Sequence, residues 1–101
     1  MSKPLKIQIV ERARALIADE EHWCRNELAR DARGMDVCPL SDNAVKRCGL
    51  GAVIAAAYQL AHQLGLEALR PRSGAVTLIH VNETRGHAAV LALFDEVIAA
   101  A

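Results

Sequence analysis

Residues 41–64 read SDNAVKRCGLGAVIAAAYQLAHQL and decide the fold, because they hold the longest helical pattern in the chain and a cysteine beside two glycines. Val45, Ala52, Val53, Ala56, Leu60 and Leu64 recur at helical spacing, while Lys46, Arg47, Gln59 and Gln63 fall largely on other faces. Ser41, Asp42 and Asn43 each carry a side-chain oxygen that can accept from the free N–H groups of a first turn, and Gly65 suits a left-handed C-cap. This predicts a buried central helix over about 42–64. Alanines 52, 55, 56 and 57 let neighbouring backbones approach closely. Gly49 and Gly51 each cost about 1 kcal/mol relative to alanine inside a helix. Close packing against another element is the expected compensation.

Upstream, Pro4 opens a helix over about 4–17 whose apolar stripe is Leu5, Ile9, Ala13, Leu16 and Ile17, widened by Ile7 and Val10. Lys6, Glu11 and Arg14 form the solvated face, and the acids beside Arg12 and Arg14 argue against a phosphate site there. After the acidic junction Asp19-Glu20-Glu21, Trp23 is expected to be largely buried against the central or final helix, its indole N–H satisfied. From Asn26 the helical period fails. Asp31-Ala32-Arg33-Gly34 reads as a tight turn, predicting a β-hairpin of Glu27–Arg30 with Met35–Val37 that covers an end of the core. Pro39 then leads into the central helix.

Downstream, Leu66 to Leu69 suit one helical turn and Arg70-Pro71-Arg72-Ser73-Gly74 a loop. AVTLIHVN, residues 75–82, is ambiguous, since its β-branched residues favour a strand while Thr77 as a cap favours a helix. Thr84-Arg85-Gly86 reads as a turn. The last helix, 87–100, carries His87, Val90, Leu91, Phe94, Val97 and Ile98 on one stripe. The fold class is mostly α: a small bundle of three main helices, one or two short helical turns and a short hairpin, in one domain over 1–101.

Lysine plus arginine equal aspartate plus glutamate at 12 each, so no global basic field concentrates nucleic acid or an anionic membrane. Cys24, Cys38 and Cys48 are odd in number and form no C-x-x-C pair, which argues against a disulfide framework or a zinc knuckle and for reduced thiols in the cytoplasm. The N-terminus carries charges within its apolar stretch, and no apolar run suits a membrane span.

Three fragments together resemble a bacterial family known only as a domain of unknown function, numbered sixty-one ninety-seven. They are His22-Trp23-Cys24, Asn43 to Ala52, and Val81-Asn82-Glu83 followed by His87 to Asp95. The family pattern has a tryptophan after the first helix and an Ala-Arg-Asp turn, matched here by Ala29-Arg30-Asp31. It continues with a cysteine before Gly-Ala, then a Trp-Asn-Asp element ahead of a His-x-x-Val helix. Val81 and Glu83 depart from the Trp and Asp of that element. The resemblance covers about Arg12 to Ile98, favours helix for 75–82, and implies a shared fold but no activity.

One constellation could carry chemistry. Cys48, His87 and Asn82 could act as thiol nucleophile, imidazole base and orienting amide, giving a thiol-dependent hydrolase or transferase. Against it, His87 sits in an apolar stripe, where a histidine bonding a backbone carbonyl is commoner. Cys48 is expected to be an inert residue in the seam made by Gly49, Gly51 and Ala52, away from any helix-end field. The spacings of Cys24, Cys38 and Cys48 match no standard zinc module, and adjacent Asp95 and Glu96 diverge on a helix. No cofactor or metal is expected. The favoured function is a non-catalytic interaction or accessory domain working through an apolar surface or as a homo-oligomer. A nucleic-acid-associated regulator resting on Arg70 and Arg72 is the third alternative.

Overall fold

The computed structural model describes residues 3–65 and 75–100. Helix α1 is Leu5–Leu16, followed by a short 3-10 turn at Glu20–His22, strands β1 (Ala29–Arg30) and β2 (Lys46–Arg47), and helices α2 (Gly49–Leu64), α3 (Ala75–Arg85) and α4 (His87–Ala99). The mostly α class holds, but the described residues contain four substantial helices where three were expected. The helix expected over 75–82 runs on through Thr84 and Arg85 to a turn at Gly86, whose φ of +89° suits glycine. Within this helix the Thr84 hydroxyl is satisfied by donating back to the His80 carbonyl. The helical turn expected at 66–69 and the basic loop at 70–74 lie outside the described residues.

The core joins Ala13 of α1 and Ile17 just after it, Ala52 and Ala56 of α2, Leu78 of α3, and Val90 and Phe94 of α4. Alanine on α2 lets α1 pack closely across it, and α1 also meets α4. In α1 the buried positions are Ile7 and Ala13, with Ile9, Val10 and Leu16 partly covered, so the stripe is widened at Ile7 and Val10 as expected, with Ile7 buried more deeply than Ile9. Pro4 stands one position outside the helix, as its N-cap. Among the described residues no helix is long and apolar enough to cross a membrane.

The largest correction concerns where α2 begins. Ser41 does not cap it: the Ser41 hydroxyl accepts from the Asn43 N–H, and the Ser41 carbonyl accepts from Ala44. A short side-chain oxygen that can cap a helix can equally close a turn two residues on, and here the turn wins. Lys46 and Arg47 are thereby extended and pair antiparallel with β1, in the register Ala29↔Arg47 and Arg30↔Lys46. Cys48 is the N-cap of α2.

The expected hairpin is therefore only half correct. Its turn is present, with Gly34 at φ +82° and Asp31 bonded to Met35, but its second arm contributes a single bridge, Arg30↔Asp36. The main partner of β1 is β2, and Trp23 bridges the other side of β2 at Arg47. This small layer covers the N-terminal end of α2.

The two glycines of that first turn have distinct neighbours. A Cβ on Gly51 would lie 2.0 Å from the Leu28 carbonyl oxygen, whereas one on Gly49 would meet the Leu78 and Val90 side-chain ends at 2.9 and 3.0 Å. Backbone cannot yield as side-chain ends can. Gly51→Ala should cost about 3 kcal/mol or more and Gly49→Ala about 1–3 kcal/mol in urea unfolding. Equal costs, or an unaffected Gly51→Ala, would contradict this packing.

Candidate functional site

At the start of α2 the chain faces an orphan-donor problem: first-turn N–H groups have no intrahelical partner. Asn82 answers it from α3. Its Oδ1 accepts from the Gly49 N–H at 2.8 Å and from the Trp23 indole Nε1–H at 2.7 Å, while its Nδ2 donates to the Cys24 carbonyl at 3.3 Å. Two donors facing one atom and a carbonyl facing the other fix the orientation of the amide. Asn82 is fully buried, and among the described residues no buried side-chain nitrogen or oxygen lacks a partner.

Neighbouring groups extend the junction. Both carboxylate oxygens of Glu83 accept from the Asn26 N–H, which holds Asn26 at φ +75°, a conformation that asparagine tolerates better than most residues. The Arg25 guanidinium lies 5.1 Å from the Trp23 ring centroid, and the His87 ring lies 5.7 Å away. Trp23 is only partly buried, because its cover is a cation and an imidazole instead of a full apolar wall. The indole N–H is satisfied as expected.

The three residues weighed as a catalytic set are placed differently from a thiol enzyme. His87 bonds through Nε2 to the Ile17 carbonyl, and since a carbonyl only accepts, Nε2 carries the proton. Asn82 orients an indole and a helix start, not an imidazole. Cys48 Sγ accepts from the Gly51 N–H at 3.3 Å, and no hydrogen bond joins it to His87. Thus Cys48 and Asn82 meet through Gly49, while His87 reaches the junction only through the Trp23 ring.

Cys48 does lie at a helix end, contrary to expectation, yet burial outweighs that field. Desolvation pushes its thiol up, opposed in part by backbone bonds from Gly51 and Leu50. Cys24, also buried and hydrogen-bonded to the Glu27 carbonyl, is pushed up from 9.0 to about 11, first by desolvation and then by Cys48. Cys38 is exposed. Among the described residues no group of three or more His, Cys, Asp or Glu side chains could hold a metal ion.

What the sequence reading missed is a surface. A cleft of about 310 Å³ opens beside the small β layer, lined by Pro39, Leu40, Asp42, Arg47 and Tyr58 over a floor at Ala55. Leu28, Met35, Leu40, Val45 and Tyr58 are all exposed. Val45 is hidden from a sequence reading because it falls on the apolar stripe of a helix from 42 onward, and Leu40 because it stands alone between Pro39 and that helix.

The junction yields two expectations. Asn82→Ala strands the Gly49 and Trp23 donors and should cost about 2–5 kcal/mol, with less than additive loss when combined with Trp23→Phe; strict additivity would deny the shared acceptor. For the thiols, a folded-state pKa raised above the unfolded one gives stability that is complete below the unfolded value and lost as pH rises through the folded one. Stability should therefore fall between pH 9 and about 11, and Cys24→Ala should flatten that fall; an unchanged profile would contradict the burial of this thiol.

No curated protein and no solved structure is significantly similar to the chain. The sequence profile of a family of unknown function, DUF6197, matches residues 1–100, and the chain belongs to that family.

Proposed function

We propose that this protein is a non-catalytic interaction domain of the bacterial cytoplasm, which binds another polypeptide through the exposed apolar side chains Leu40 and Tyr58 beside the cleft. The observation that carries this reading is a contrast. The thiol and imidazole weighed for catalysis are committed inside the fold: the Cys48 thiol is buried and bonded to Gly51, and His87 is bonded to Ile17. The apolar side chains, in turn, stand outside it, with Leu40 at 41% and Tyr58 at 46% exposure beside a cleft. A thiolate nucleophile needs an accessible sulfur with a lowered pKa, and Cys48 has neither. The balanced charge also supports a protein partner over nucleic acid.

Cross-linking and affinity purification from the native cell tests this. A partner recovered with the natural chain should also be recovered with Cys48→Ala and be lost with the Leu40→Asp/Tyr58→Asp double variant, both variants staying folded by circular dichroism. Retention by the double variant, or a turnover that disappears in Cys48→Ala, would overturn the reading.

A further inference from the structure

Arg47 is a cation without an anion. Its Nε–H donates to the Pro39 carbonyl at 3.0 Å, and among the described residues no carboxylate lies within ion-pair distance; the ion pairs found are Lys3–Glu11 and Arg14–Asp95. Arg47 is partly buried, and it lines the cleft together with Leu40 and Tyr58. Arginine offers five donors and stays charged at neutral pH, so four N–H groups remain for something that enters. No buried side-chain polar atom of the described residues lacks a partner, so the N–H groups of Arg47 that have none reach solvent, and Arg47 is one of the residues that line the cleft. Burial lowers the Arg47 pKa, the mark of a charge short of solvation.

The same cleft holds one group of opposite sign. Asp42 is exposed, and among the described residues it forms no ion pair. Cation, acceptor and apolar wall thus surround a space of about 310 Å³, enough for one or two residues of a chain.

Resting on the interaction reading above, we propose that this cleft binds the free C-terminal residue of a partner polypeptide, its carboxylate on Arg47, its backbone N–H toward Asp42 and its apolar side chain against Leu40 and Tyr58. Arginine suits a carboxylate because two parallel N–H groups match its two oxygens. Asp42 sets the polarity of the ligand: a bare acid would be repelled there, whereas the terminal residue of a peptide brings an N–H donor next to its carboxylate. Tyr58 is held for this contact by stacking on His62, with ring centroids 6.4 Å apart and planes 7° from parallel.

The test is titration of the 15N-labelled full chain with N-acetyl-alanyl-leucine, with its C-terminal amide, and with N-acetyl-alanyl-aspartate blocked as the terminal amide. The free acid should shift the amides of Asp42, Tyr58 and Gln59 saturably, and both amidated peptides should bind about tenfold more weakly or not at all. Arg47→Gln should remove the binding. Because Arg47 also holds Pro39, a second variant, Leu40→Asp at an exposed position, guards against misfolding and should weaken the free acid by about tenfold through charge repulsion. Equal binding of acid and amide, equal binding of the blocked aspartate peptide, survival of binding in both variants, or no saturable shift would overturn the proposal. If the peptides fail while the cellular partner still depends on Leu40 and Tyr58, the interaction surface stands and only the carboxylate recognition falls.

Discussion

One buried carboxamide oxygen holds this small protein together. Asn82 Oδ1 accepts from the first turn of α2 and from the indole of Trp23, two segments far apart in sequence that meet only because α3 supplies the acceptor. Capping is ordinarily local, the work of a residue just before the helix. Here the local cap is a thiol, a weak acceptor occupied with Gly51, so the Gly49 N–H needs a partner from elsewhere. A buried polar junction of this kind is stabilising only if every member is satisfied, and each of its partners is in place.

Several features that look independent follow from that constraint. Position 49 is glycine because Leu78 of α3 and Val90 of α4 press on the start of α2, as they must if Asn82 is to reach it. Position 51 is glycine because the Leu28 carbonyl, which accepts from the Cys48 N–H, crosses directly over the helix. Glu83 secures the loop after Trp23 by binding Asn26, and Asn82 secures the same loop at Cys24. With the inner groups committed to one another, the residues left to face outward are those of the β layer and the adjacent face of α2.

The sequence announced the helices better than their limits. Periodic spacing located α1 and α4 to within a residue or two, and paired glycines signalled a close approach at the start of α2, which Leu28, Leu78 and Val90 provide. The start of α2 was misread because Ser41-Asp42-Asn43 suits a turn as well as a cap, and only pairing across to Ala29 and Arg30 decides between them. Tertiary pairing of that sort leaves no local trace. Asn82 was singled out, but as the third member of a thiol–imidazole set; its bonds to Trp23 and Gly49 depend on helix placement that spacing does not encode. The Arg47 cleft was equally hidden, since a lysine–arginine pair on a supposed helix reads as solvated surface.

Hydrogen exchange followed by NMR tests the central claim most directly, through the Gly49 amide and the Trp23 indole N–H. Both protons share one buried acceptor, so both should exchange only with global unfolding, as slowly as the amides at the core position Phe94. In Asn82→Ala both should lose protection together while the Phe94 amide stays protected more strongly than either. Rapid exchange of the Gly49 amide in the natural protein, or loss of protection at one proton without the other, would contradict the account.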